Sequence, residues 1–122
     1  MVNHKNNTLP KSLKIAILGL TSAFKEERNF RIQCFIAIIV IELMIILGLN
    51  PIEKSILLLM ILVILSLELI NSQIEKFLDV LHPDHHPRVR IIKDFSAGAV
   101  LLSAIGSIVI GMLIFMPYII RL

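Results

Sequence analysis

Three long apolar runs constrain this chain more than any other feature. They cover about residues 30–49 (FRIQCFIAIIVIELMIILGL), 52–70 and 95–120, and the second continues as an amphipathic helix to about residue 81. At a rise of about 1.5 Å per residue, a run of roughly 19 residues crosses a hydrocarbon core of roughly 30 Å. A 122-residue chain that is 57% hydrophobic, with mean hydropathy +0.88, has no interior large enough to hide such surface, because small domains bury proportionally little of it. The bilayer is the solvent that accommodates the excess. The expected fold class is an all-α membrane protein, a single membrane-embedded domain over 1–122 with transmembrane helices at about 30–49, 52–81 and 95–120.

The flanks refine that picture. From Pro10 to about residue 26, Leu13, Ile17, Leu20 and Phe24 share one helical face while Lys11, Lys14, Thr21 and Lys25 lie largely elsewhere, the pattern of an amphipathic helix lying on a membrane surface. Asn50-Pro51-Ile52-Glu53 reads as a helix start, with Asn50 as N-cap, Pro51 in the first helical position and Glu53 three residues after the cap. The first two spans are therefore antiparallel neighbours. The second connection, LHPDHHPRVRIIKD, is longer and holds Pro83 and Pro87, which break or restart helices. Ten Lys and Arg residues (Lys5, Lys11, Lys14, Lys25, Arg28, Arg31, Lys76, Arg88, Arg90, Lys93) precede the first span or flank the second connection, against Lys54 and Arg121 on the other side. The positive-inside rule then sets the N-terminus in the cytoplasm and the C-terminus outside. No cleavable signal sequence is expected from the polar N-terminus. The lone Cys34 excludes an internal disulfide and reads as a small hydrophobe. Ala99, Ser103, Ser107 and Gly111 recur every fourth residue in the third span, a spacing that lets helix backbones approach closely in lipid. So small a bundle is expected to oligomerise.

The chemistry is concentrated in ELINSQIEKFLD, residues 68–79. On a helix advancing about 100° per residue, Asn71, Ser72, Glu75 and Asp79 all fall within about 60° of Glu68, along a rise of about 16 Å. A carboxylate deep in a membrane helix costs about 2.5–3.5 kcal/mol on insertion scales. Interhelical polar contacts return only about 0.6 kcal/mol on average. Three carboxylates thus point to more than helix association. Hard oxygen ligands such as Glu75 suit Mg²⁺ carried on substrate phosphates, and Glu27, just before the first span, can complete its shell. Glu68, at the membrane boundary, is placed to accept a proton from an alcohol. Lys93 and Asp94 lie on the same side, and cations there neutralise a polyphosphate, so an ATP-like ligand fits. No Walker A sequence is present, and the five glycines are scattered.

These residues carry a resemblance. The chain resembles the small bacterial integral-membrane lipid kinases, the diacylglycerol kinase and undecaprenol kinase family, whose signature E-x-[hydrophobic]-N-[ST]-[small]-[hydrophobic]-E-x-x-V-D is matched by ELINSQIEKFLD. Gln73 and Leu78 depart from it, as does Ile15, where an aromatic residue is usual. AFKEERNF and IIKDFSAGAVLL fit around the signature without gaps, so the likeness covers nearly the whole chain. It implies a homotrimer with active sites at subunit interfaces, built from three transmembrane helices per subunit and an N-terminal surface helix in the bacterial cytoplasmic membrane. It also implies transfer of the γ-phosphate of MgATP to a lipid hydroxyl. By motif position, Glu68 resembles the catalytic base, and Asn71 a residue near the transferred phosphate. Glu27 and Glu75 match the metal-binding carboxylates. Lys93 and Asp94 match the nucleotide-binding pair. Asp79 belongs to the same nucleotide site, Asp84, His85 and His86 occupy the nucleotide-contacting loop, and Phe30, Arg31 and Ala97 fall where lipid substrate is contacted. AFKEERNFRI and the loop pattern look more like the Gram-positive branch, whose members tend to prefer undecaprenol; diacylglycerol is the alternative acceptor. No nucleic-acid partner is expected.

Two rivals belong to other classes. A proton or ion carrier using Glu42, Glu68 and Glu75 would need polar groups across the whole membrane, yet ILLLMILVIL in the second span has none. A catalytically inert scaffold would not need Glu27, Asp94 and the stripe on one side. His82, His85 and His86 with Asp84 lack obvious further ligands for a transition metal. Glu42 is expected to be protonated or bonded to a polar group on a neighbouring helix.

Overall fold

In lipid, an apolar run must satisfy its own backbone hydrogen bonds, and a helix does so within one segment. The computed structural model describes residues 8–122, and among them it contains four helices: α1 (Leu9–Glu26), α2 (Arg28–Ile46), α3 (Pro51–Leu81) and α4 (Pro87–Ile120). Three of these, α2, α3 and α4, are long and apolar enough to cross a membrane. This is the all-helical membrane architecture expected from the sequence. Lys5, counted in the charge bias, lies outside the described residues.

Helix length decides what lies in lipid and what projects from it. α2, with 19 residues, is about 28 Å long and matches the hydrocarbon core. α3 and α4 have 31 and 34 residues, about 46 and 51 Å, so each overhangs the core by several turns. Both overhangs lie at the end where α1 meets α2, since the other ends of α2 and α3 are joined by a tight turn.

That turn is built as its sequence suggests. Gly48 adopts φ +66°, a left-handed conformation that costs a residue with a Cβ about 1 kcal/mol. The amide of Leu49 then donates to Met44 O at 3.1 Å. Asn50 Oδ1 accepts from the Glu53 amide at 2.8 Å, while the Asn50 amide donates to Glu53 Oε1 at 3.3 Å, completing a capping box. Met44, Leu49 and Leu57 are buried together beneath the turn, with Ile114, Phe115 and Tyr118 of α4 packed on them. The Tyr118 hydroxyl donates to Glu53, tying the end of α4 to the start of α3. α4 packs most extensively on α3, α3 also packs on α2, and α2 on α1.

Two expectations change. The second connection shrinks to residues 82–86, because Pro87 starts α4 rather than interrupting the chain. A first-turn proline loses no helical hydrogen bond, since its missing N–H would be unpaired there in any case. Lys93 and Asp94 therefore ride on a helix. The glycines of α4 also make no close approach within the chain: a Cβ on Gly98, Gly106 or Gly111 would meet no heavy atom within 4 Å. On α1, Leu13, Ile17, Leu20 and Phe24 are all exposed, leaving an apolar face free for the membrane surface.

Because Gly48 alone takes a positive φ among the described residues, Gly48→Ala is expected to lower stability by about 1 kcal/mol. Thermal unfolding of the detergent-solubilised protein checks this, with Gly106→Ala, in open space, as the neutral comparison.

Candidate active site

The polar stripe of α3 turns inward. Glu68 and Ser72 are each 5% exposed, the two buried polar residues among those described. Glu68 lies 17 residues beyond Pro51, about 26 Å along the helix, which sets it at the boundary of a roughly 30 Å core. A carboxylate there needs partners, and α2 supplies them. Gln33 Nε2 donates to Glu68 Oε2 at 3.3 Å, with the Asn29 side chain nearby. Ser72 satisfies its hydroxyl on Leu69 O at 3.0 Å. Glu75 and Asp79, further along α3, are exposed.

Around Glu68 the other charged groups assemble from different elements. Glu27 is the single extended residue between α1 and α2, with φ −103° and ψ 107°. The Arg31 guanidinium braces this elbow by donating to Phe24 O at 2.9 Å and Lys25 O at 2.6 Å, carbonyls at the end of α1. Phe24 and Phe35 pack across it with centroids 6.4 Å apart. The charges of Glu27 and Glu75 both act on Glu68, so three carboxylates from one helix and an elbow share one region. Lys76 pairs with Glu27 at 2.7 Å. Lys93 of α4 forms an ion pair with Asp79 of α3, joining the two overhanging helix ends.

The cluster has the donor set for a hard divalent cation. Among the described residues, no three His, Cys, Asp or Glu side chains form a ready-made cation cage. Mg²⁺ needs none, being generally held by one or two carboxylates together with substrate phosphates. Two features of the site fit it: Asn71 Oδ1 is buried with no hydrogen-bond partner among the described residues, and an ammonium group already stands on Glu27.

On the lipid side of Glu68 is an apolar cavity of about 450 Å³ between α2, α3 and α4. Leu65, Ile64, Ile36, Ala104 and Gly111 line it, and Gln33 stands in its wall. The same amide thus touches both the cavity and the buried carboxylate. Its Oε1 is buried and unpaired among the described residues.

The remaining expected residues are distributed as follows. Phe30 is buried, and Arg31 is committed to the α1 carbonyls. Ala97 and Asp94 are exposed on α4. Asp84, His85 and His86 form an exposed loop, in which His86 Nδ1 accepts from the Arg88 amide at 3.1 Å and caps α4. Sequence reasoning missed Gln33, Asn29 and the Lys76 contacts. The signal for Gln33 was present, since it is the lone amide in FRIQCFIAII, about one and a half turns into the span and level with Glu68.

Without its α2 partner, the buried Glu68 carboxylate would be under-satisfied. Gln33→Leu is expected to destabilise the protein by about 1–3 kcal/mol. Thermal unfolding in detergent measures it, and Glu68→Gln, which removes the charge but not the shape, is expected to lose less.

The sequence profile described as prokaryotic diacylglycerol kinase matches residues 14–115. Among curated relatives, the chain is 38% identical to "Undecaprenol kinase" of Bacillus subtilis, over 94% of this chain and 95% of that protein. It is 36% identical to "Diacylglycerol kinase" of Synechocystis, over 87% of this chain and 61% of that protein. It is also 36% identical to "Diacylglycerol kinase" of Haemophilus influenzae, over 88% of this chain and 92% of that protein.

Proposed function

The chain belongs to the prokaryotic diacylglycerol kinase family, and on that premise we propose that it transfers the γ-phosphate of ATP to the hydroxyl of undecaprenol at the membrane boundary marked by Glu68. It is a lipid kinase, a phosphotransferase with an alcohol acceptor. The observation that carries the assignment of the site is the placement of Glu68: buried, held by Gln33, and next to an apolar cavity on one side and charged groups on the other. A lipid alcohol and a nucleotide need just such a meeting point, since one arrives through hydrocarbon and the other through water.

In this mechanism Gln33 and Asn29 fix the Glu68 carboxylate, which takes the proton from the lipid hydroxyl. The lipid oxygen attacks the γ-phosphorus in line, the bond from that phosphorus to the β,γ-bridging oxygen breaks, and ADP leaves. Asn71, one helical turn beyond Glu68, contacts the transferred phosphoryl group. Lys93, with Asp79 and Asp94, binds the nucleotide phosphates, and Asp84, His85 and His86 flank the nucleotide from the loop before α4. Mg²⁺ on the nucleotide would be held by Glu27 and Glu75 and would neutralise charge on the phosphoryl oxygens. Phe30, Arg31 and Ala97 border the lipid; the Arg31 bonds to α1 give it the further part of shaping the elbow that carries Glu27.

Undecaprenol is favoured by the Bacillus relative, which matches over nearly the full length of both chains. Diacylglycerol is the second acceptor, supported by two relatives at 36% identity. The protein is placed in the bacterial cytoplasmic membrane, its N-terminus and the α3–α4 loop in the cytoplasm and its C-terminus outside, on the strength of its lysine and arginine asymmetry. It assembles as a homotrimer with sites completed between copies. Exposure of Glu75 and Asp94 in the single chain, and the open space around the α4 glycines, support that arrangement.

Glu68→Gln is expected to lower turnover by at least about 100-fold, the usual worth of a positioned base, while leaving assembly intact by size-exclusion chromatography. Purified protein in lipid with MgATP and either undecaprenol or diacylglycerol, scored for phosphorylated lipid, tests both the reaction and the acceptor. Retained turnover in Glu68→Gln would overturn the assignment of the base.

A further inference from the structure

Lys76 plays no part in the reaction as derived above, yet it is the cation paired with Glu27 of the carboxylate cluster. It sits on the overhanging part of α3, next to Glu75, and reaches across to the α1–α2 elbow. There its Nζ is 2.7 Å from Glu27 Oε1 and 3.3 Å from Glu26 Oε2. The two ends differ in exposure: the Lys76 side chain is 50% exposed, that of Glu27 20%. A sheltered carboxylate thus carries a mobile, half-solvated counter-ion.

Glu27 cannot serve both partners at once. An ammonium within 3 Å occupies the space in which a divalent cation would bind, and it is a donor with no lone pair to offer a metal. Exposed ion pairs are weak, worth at most about five-fold in an equilibrium constant, and a flexible four-carbon stem lets the lysine swing away. Without any cation there, Glu27 and Glu75 would both act on Glu68 uncompensated.

We propose that Lys76 is an exchangeable internal counter-ion, seated on Glu26 and Glu27 until a divalent cation displaces it, and that it thereby sets the cation concentration at which the site fills. This rests on Glu27 being a metal carboxylate. Lys76 is then a positioning residue: it holds the elbow against α3 in the metal-free protein and keeps the carboxylates from repelling one another.

The test is Mn²⁺ binding to the full chain in detergent without nucleotide, read from the electron paramagnetic resonance signal of free Mn²⁺. Glu27→Gln is expected to weaken binding. Lys76→Met is expected to tighten it about two- to five-fold, the range an exposed pair allows, and Lys76→Arg to stay near wild type. Lys25 forms no ion pair with Glu27 among the described residues, so Lys25→Met, which removes a like charge near the elbow, is expected to change binding less than Lys76→Met; should Lys76→Met not fold, Lys76→Gln takes its place. Binding by the Lys76 variant equal to or weaker than wild type, with Glu27→Gln still weakened, would overturn the counter-ion role alone. So would equal tightening by Lys25→Met or by Lys76→Arg. No measurable Mn²⁺ binding by wild type, or binding unchanged in Glu27→Gln, would overturn the metal assignment and this inference together.

Discussion

A carboxylate at the edge of hydrocarbon has to be solvated by the protein itself, and much of the site follows from how this chain does so for Glu68. Removing the charge from water costs several kcal/mol, offset only by fixed donors. Gln33 on α2 supplies one, with Asn29 nearby. The contact fixes the rotation of α3 about its axis, because a helix that buries Glu68 and Ser72 must aim the whole stripe the same way. Once it is so aimed, Glu75 and Asp79 continue out of the membrane along nearly the same face. The buried Glu68 carboxylate and the water-exposed carboxylates are consequences of one orientation.

Helix length does the rest of the positioning. α2 fits the bilayer, while α3 and α4 overhang it by several turns. Every overhang emerges at the end where α1 folds over at Glu27. The ion pairs Lys76–Glu27 and Lys93–Asp79 then join elements separated by many residues in the chain. In water each is weak, and their effect is one of register: they align α3 with the elbow and with α4. At the opposite end, the capping box and the Tyr118–Glu53 bond do the same work. The molecule is thus pinned at both ends of the membrane. Between them, small side chains of α4 leave room for the apolar cavity.

Membership of a lipid kinase family gives these features a common purpose. The substrates of such an enzyme share no solvent, so its reacting groups have to sit at a boundary. Glu68 is on the cavity side of that boundary, and Glu27, Glu75 and Lys93 are on the wet side. Gln33 belongs to both, as its amide touches the Glu68 carboxylate and lines the cavity.

Much of this was legible in the residues. Three spans, the tight Asn50–Glu53 turn, the N-terminal amphipathic helix and the common face of ELINSQIEKFLD follow from apolar run length, capping chemistry and helical period, all of which act within a few residues of each other. The start of α4 at Pro87 was less legible, because a proline can end a helix or begin one, and only the backbone before it decides which. Partner choice was not legible at all. That Glu68 meets Gln33, that Lys76 reaches Glu27 and that Lys93 pairs with Asp79 depend on helix rotation and relative height, which local sequence does not encode. The sequence by itself determined which segments enter the membrane and which groups the chain has available for chemistry, because both depend on short-range solvation. Only the tertiary structure decided which of those groups meet, because that depends on the packing of whole helices against one another.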